Sequence, residues 1–300
     1  MNSKLKNDGL LVITALIWGS AFVAQRVGMD YIGPFTFNSI RCLLGSIVLI
    51  PVIWFMDKKK EKKSGEEAKA ENKNLLIGGI SCGIAMAVAS SLQQIGLVYT
   101  TAGKAGFITA LYILIVPVLG LFLGKTVNGK TWVGVGLAVA GMYFLCITEG
   151  FAISQGDFLV IMCAFVFSVH ILLIDYFSPK VDGVKLSCVQ FAVSGLLCGI
   201  PMMVSEQPTI DVIMAAAVPI LYAGVMSCGI AYTLQIIAQK DTDPTVASLI
   251  LSLESVFAVL TSWILINEAL SVREIAGCVL MFAAIILAQL PDKTTKKTAA

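Results

Sequence analysis

Charge is the first thing this chain lacks. Of its 300 residues only 13% are Asp, Glu, Lys or Arg, against 57% hydrophobic, and the mean hydropathy is +0.88. That balance excludes an ordinary water-soluble domain and makes the bilayer the expected solvent. A net charge of +2 supplies no basic surface for nucleic acid, so no such partner is expected. Histidine is scarcer still, with His170 alone in the chain, and no CxxC or CxH spacing organises the eight cysteines. GxSxG and P-loop motifs are absent too. These gaps argue against a membrane-embedded enzyme, remove ATP-driven transport by this chain alone, and leave no cofactor or metal to expect.

What is present is apolar length. A hydrocarbon core of about 30 Å needs roughly 20 apolar residues per helix. Ten runs qualify, near residues 9–28, 34–56, 75–98, 104–123, 131–148, 157–176, 184–204, 213–238, 245–266 and 271–290. Lys4 and Lys6 ahead of the first run resemble the start of a signal peptide, but no small-residue cleavage site precedes the end of that run, so a retained span is expected. Cys42, Cys82, Cys146, Cys163, Cys188, Cys198, Cys228 and Cys278 all fall inside apolar runs and read as buried thiols. The one long hydrophilic stretch, DKKKEKKSGEEAKAENKN at 57–74, reads as a solvated loop.

Orientation follows from the basic residues. With the N-terminus in the cytoplasm, 17 of the 21 Lys and Arg fall on cytoplasmic segments, which predicts a multi-pass protein of the plasma (inner) membrane with both termini inside. The same count favours an even number of spans.

Internal repetition sets the architecture. LFLGKTVNGKTWVG at 121–134 lies over ILINEALSVREIAG at 264–277, and LQQIGLVYTTAGKAGFITALY at 92–112 over LQIIAQKDTDPTVASLILSLE at 234–254, pairing Gln93 with Gln235. FTFNSIRCLLGSI at 35–47 over VKLSCVQFAVSGL at 184–196 adds weaker support. The expected fold is therefore all-α and membrane-integral, with ten helices as two five-helix repeats, 1–150 and 151–291, and a basic tail at 292–300. Five is odd, so the second copy enters the membrane from the opposite face. Inverted repeats of this kind suit alternating access to a central site, although channels and purely structural bundles share the pattern.

Ala15 to Phe22 (ALIWGSAF), Arg41, Leu253 to Ala258 (LESVFA) and Asn267 to Leu270 (NEAL) resemble the EamA branch of the drug/metabolite transporter superfamily. Gly106 to Tyr112 (GFITALY) with Pro117 is similar to one EamA subgroup. Lys125 and Ser255 depart from the pattern, standing where Glu and Pro are frequent. The resemblance implies ten helices, cytoplasmic termini, a central cavity lined by helices 1 to 4 and 6 to 9, and amino acids, other metabolites or toxic organic compounds as substrates, often exported.

Charges near the bilayer centre cost several kcal/mol unless paired, wetted or neutralised. Glu254 lies eleven residues after Asp243, about 16 Å deep at about 1.5 Å per residue. It suits proton coupling or amine binding, or else a hydrogen-bonded carboxyl that ties helices together. Arg41, about two turns inside its helix, could grip a carboxylate, lock a gate, or snorkel to the interface. His170 suits proton relay or hydrogen-bonded packing. Trp18 suits a stacking wall or core. Asn38, Gln93, Gln94, Tyr112, Gln190 and Gln235 need partners in lipid, and some should line the cavity. The small residues of helices 3, 5 and 8 read as close-packing surfaces, and Asp175, Glu268 and Glu274 as interfacial.

Overall fold

The computed structural model describes residues 3–58, 65–125, 127, 129–146, 154–266 and 272–289. Every regular element among them is helical. In chain order these are α1 (Ser3–Gly28), α2 (Pro34–Asp57), α3 (Gly65–Tyr99), α4 (Ala102–Thr109), α5 (Tyr112–Phe122), α6 (Gly129–Cys146), α7 (Gln155–Phe177), α8 (Gly183–Pro201), α9 (Ile210–Ala215), α10 (Ala217–Leu221), α11 (Thr233–Gln239), α12 (Pro244–Leu251), α13 (Glu254–Ile266) and α14 (Val272–Gln289). Two π-helical stretches, Met202–Glu206 and Tyr222–Tyr232, continue α8 and join α10 to α11.

Among the described residues, eight segments are long and apolar enough to cross a membrane. They are Lys4–Gly28, Pro34–Asp57, Gly65–Tyr99, Ala102–Phe122, Gln155–Phe177, Gly183–Glu206, Ala217–Gln239 and Pro244–Leu265. The expected fifth and tenth spans appear as α6 and α14, 18 residues each and packed on one another, but neither is among the eight. Of the stretch 57–74 expected to be a loop, residues 65–74 are helical, because α3 starts at Gly65. Glu66 and Glu67 complement the helix dipole there, and Ala, Glu and Lys are strong helix formers. Glu268 and the 292–300 tail lie outside the described residues, as do the side chains of Glu274, Cys146 and Cys278.

The solvent preference of the chain is written into its faces. Ile50, Phe55, Ile200, Val204 and Ile264 point outward and exposed, while Thr14, Asn38, Gln94, Ser194 and Gln190 are fully buried. A water-soluble protein cannot sustain that distribution, whereas lipid rewards it, since polar groups must find partners inside. Glycine lets the interior close up. A Cβ at Gly83 would stand 2.6 Å from Val193 Cβ, and one at Gly156 2.8 Å from the Gly96 carbonyl. These are the crossings of α3 with α8 and α7. Likewise α1 meets α13 at Gly19, where an added Cβ would overlap Phe257 Cβ.

Two of the eight segments are interrupted midway. After α4 the chain breaks at Ala110–Leu111 before α5, and after α12 it breaks at Ser252–Leu253 before α13. The apolar runs 104–123 and 245–266 each predict one continuous helix, and the structure interrupts both. At each break the amides tighten onto carbonyls three residues back, as in Ile113 N to Ala110 O (3.0 Å) and Ser255 N to Ser252 O (3.1 Å). The second break has a local cause in its hydroxyls. Ser248, Ser252 and Ser255 donate to the carbonyls of Thr245, Leu249 and Ser252, which competes with the regular ladder. The two broken segments also begin alike, with the Thr101 side chain capping α4 and the Asp243 side chain capping α12 ahead of Pro244.

Candidate functional site

The breaks put Tyr112 at the first position of α5 and Glu254 at the first position of α13. Both side chains line a central cavity together with Trp18, Gln25, Arg41, Gln93, Thr109, His170, Tyr232 and Gln235. The space holds about 30 Å³, enough for about two waters at 10–15 Å³ each. Passage of any organic solute therefore requires the helices around it to separate.

Charge enters this cavity at two points. Glu254 is 3% exposed and Arg41 5%, and no ion pair joins them. Gln25 Oε1 accepts a hydrogen bond from Arg41 Nη1 at 3.0 Å, and the guanidinium carbon stands 5.6 Å from the Phe37 ring centre. Arg41 thus does not snorkel to an interface. Its Nε and one oxygen of Glu254, Oε1, are buried with no hydrogen-bond partner among the described residues. The Tyr112 hydroxyl neighbours the Glu254 carboxyl without a hydrogen bond of normal geometry.

Neutral groups complete the wall. His170 shares a 3.0 Å hydrogen bond with Gln190 Oε1, so Gln190 sits behind the histidine and off the cavity. Gln93 Nε2 donates to Thr109 Oγ1 at 3.0 Å. Gln94 turns away, donating to the Gln25 carbonyl at 3.2 Å, and Asn38 is buried off the cavity with both amide atoms unpartnered among the described residues. Trp18 stacks obliquely on Tyr232, with ring centres 4.4 Å apart, and its Nε1 has no partner among the described residues. Of the residues singled out in the sequence, then, Glu254, Arg41, His170, Trp18, Tyr112, Gln93 and Gln235 share one cavity, while Gln94, Asn38 and Gln190 stand behind it. Gln25, Thr109, Ser227 and Tyr232 line it without having been singled out. Gln25 had a signal, as an amide one turn inside the end of an apolar run.

Polar ties join the first half of the chain to the second at both ends of the bundle. At the end carrying the Met29–Gly33 turn, the Glu206 carboxylate accepts from Phe35 N (2.9 Å), Thr36 N (2.6 Å) and Thr36 Oγ1 (2.6 Å). There too Lys104 Nζ reaches Asp157 at 2.7 Å. At the opposite end Lys185 pairs with Asp57 at 2.8 Å, and Lys125 with Asp175. Asp175, expected to be merely interfacial, is therefore a cross-chain partner. Among the described residues, no group of three or more His, Cys, Asp or Glu could hold a metal ion.

Known proteins place this arrangement. The EamA-like transporter family profile matches residues 5–147 and 154–290. An uncharacterized transporter of Archaeoglobus fulgidus is 32% identical over 96% of this chain and 87% of its own length. The uncharacterized transporter YoaV of Bacillus subtilis is 22% identical over 93% of this chain and 94% of its own. A solved crystal structure superposes with a TM-score of 0.75 at 17% identity, covering 95% of this chain and 96% of that one, a likeness of fold alone. With a polar cavity at the heart of a multi-pass bundle and a family match along nearly its whole length, the chain belongs to the EamA-like transporter family and is a membrane transporter.

Proposed function

We propose that this transporter is a secondary carrier that moves small organic metabolites, such as amino acids, related compounds or drugs, outward across the plasma membrane by alternating access, with protons as the coupling ion. The observation that carries this reading is the central cavity, where two broken helices meet and the Glu254 carboxyl and the Arg41 guanidinium face one small space with no ion pair between them. Broken helices at mid-membrane depth are a recurring way to build a solute site between repeats.

The ten-span inverted repeat of 1–150 and 151–291 belongs to the same proposal. It is supported by spacing: Ala102, Thr109 and Tyr112 are each followed 142 residues later by the matching boundary at Pro244, Leu251 and Glu254. The two stretches matched by the family profile divide the chain at the same place. Cross-chain ties at both ends suit a carrier caught with both gates shut, each gate opening as its own ties part. The positive-inside distribution supports cytoplasmic termini.

Glu254 is the proposed coupling residue. The titratable and charged groups around it are Tyr112, Tyr232, Cys163, His170 and Arg41. Purified protein in proteoliposomes should exchange labelled for unlabelled solute in counterflow, which a channel does not do. Glu254→Gln should keep counterflow but lose its response to an imposed pH gradient. Unchanged pH-driven uptake in that variant would remove Glu254 from coupling, and absence of counterflow by the wild type would remove the carrier reading.

A further inference from the structure

The interior differs on the two sides of the cavity. Gln235 lines the cavity, and Gln239, four residues on along α11, shares its face and stands about 6 Å nearer the end of the Lys185–Asp57 pair. Both are 1% exposed. Gln239 Nε2 donates to the Ile171 carbonyl at 3.4 Å, and Ile171 is itself on the cavity wall. Gln190 Oε1 holds the His170 ring, and between α8 and α11 the Thr233 hydroxyl donates to Ser187 Oγ at 2.9 Å. Each of the three amides keeps one buried atom without a partner among the described residues: Gln235 Oε1, Gln239 Oε1 and Gln190 Nε2. Buried amides of this kind are where internal water is held. The turn of helix from Gln235 to Gln239 matches about two water-to-water hydrogen bonds of about 2.8 Å.

Toward the Met29–Gly33 turn the corresponding positions differ. The repeat that pairs Gln93 with Gln235 pairs Leu97 with Gln239. Leu97 is fully buried in an apolar cluster with Phe22, Ile108 and Val160. Amide atoms without partners among the described residues occur on that side too, in Asn38 and Gln94, but they gather about Arg41. Asn38 lies one turn before it on α2, and Gln94 bonds the same Gln25 that accepts from the guanidinium. A fixed guanidinium repels a proton there, whatever water the amides hold.

We propose that Gln239, Gln235 and Gln190 hold a file of internal waters that joins the cavity to the Lys185–Asp57 end, and that the Glu254 proton leaves and returns along it. In the orientation proposed above that end is cytoplasmic. The carboxyl O–H breaks as its proton joins the nearest water, each water passes one proton to the next, and a hydrated proton leaves beside Gln239. The amides give and accept hydrogen bonds but take no charge, and return is the same path reversed. The titratable and charged groups that face Glu254 are Tyr112 from α5, Cys163 and His170 from α7, Arg41 from α2 and Tyr232 from the π-helical stretch. To the cavity α1, α3, α4 and α11 present neutral side chains. The file is proposed on the reading of Glu254 as the coupling residue, yet proton access and coupling can fail separately.

The test needs no transported solute. Full-length protein with an N-terminal tag is reconstituted in liposomes, and the tag sorts the vesicles by orientation, because α1 starts at the end opposite the Met29–Gly33 turn, where Gln239 also lies. Infrared difference spectroscopy follows the protonated Glu254 carboxyl after a pH jump outside the vesicles, its band being the one that Glu254→Gln removes. A jump on the Gln239 face should titrate that band about tenfold or more faster than a jump on the opposite face. Gln239→Leu should slow the faster rate about tenfold, since an apolar side chain holds no water. Gln94→Leu, which removes an equally buried amide from the other side, should leave it unchanged. If Gln239→Leu does not fold, Gln235→Leu takes its place, and the wild-type comparison of the two faces is decisive by itself. Equal rates from both faces, or a Gln239→Leu rate equal to that of the wild type, would overturn the file and leave Glu254 as the coupling residue. Fast titration from the Gln239 face without any pH-driven response in counterflow would keep the file and overturn the coupling. A band that answers neither jump would overturn both.

Discussion

Gly19→Leu should yield no folded transporter. At this position α1 lies so close to α13 that even one added carbon would overlap Phe257 Cβ and stand 2.8 Å from both Ala258 N and the Glu254 carbonyl. Two of those three neighbours are backbone, which cannot rotate aside as a flexible side chain can. Forcing extra carbons into a packed core ordinarily costs about 1–3 kcal/mol, and here the expected cost is above that range because α1 must leave its groove. The same movement would pull Trp18 off Tyr232 and open the wall beside Glu254. Size-exclusion chromatography should show aggregate in place of a monodisperse peak. Gly136 is the control, since among the described residues a Cβ there meets nothing within 4 Å. Gly136→Ala should leave thermal unfolding unchanged or raise stability by up to about 1 kcal/mol, the helix-propensity gain. A well-folded Gly19→Leu protein would refute the crossing.

Glu206→Ala should release one end of the bundle. Its carboxylate fills the role of a cap for α2, accepting from the Phe35 and Thr36 amides and the Thr36 hydroxyl although it is about 170 residues away in sequence. Pro34 at the first turn and Gly33 before it offer no side-chain acceptor of their own. Removal of the carboxylate leaves those donors unsatisfied, at about 1–3 kcal/mol. Gly33→Ala should have the same phenotype by a different route, because its Cβ would overlap the Glu206 carboxylate and push it off the amides. A double-mutant cycle makes this decisive: in the Glu206→Ala background Gly33→Ala should cost almost nothing. The functional readout is labelling by a membrane-impermeant thiol reagent of a cysteine placed at Gln25, which should rise in either variant. Additive costs, or unchanged labelling, would deny the carboxylate a part in closing that end.

Much of the fold was legible because lipid imposes a coarse code. Runs of about 20 apolar residues, basic residues gathered on alternate loops, and glycine-rich helix faces can all be read without knowing which way a helix is turned. The site was legible where chemistry was rare: one histidine, one deep carboxyl and one deep guanidinium stand out against an apolar background. What escaped depends on azimuth and on backbone breaks. Gln93 faces the cavity and Gln94 the back of α1, a difference of one residue that composition cannot register. The interruptions at 110–111 and 252–253 arise from three-residue hydrogen bonding within spans whose average hydropathy stays high, so a hydropathy window runs straight across them. The π-helical stretch Tyr222–Tyr232 is hidden in the same way. Tyr232 and Ser227 reach the cavity from that stretch, where a spacing of 3.6 residues no longer says which side chains share a face. Pairs such as Lys104 with Asp157 escaped because each partner, seen alone, is an unremarkable residue near a helix end.

The twin interruptions have one more consequence. They bring two corresponding residues side by side, and the chain fills one place with a phenol and the other with an acid. An assembly of two identical chains would be obliged to set the same side chain in both places, and a pair of carboxylates would contend for one proton. Fusion into a single polypeptide lifts that obligation. It allows one acid per molecule, and under the coupling proposed above that position would carry no more than a single proton for each turn of the cycle.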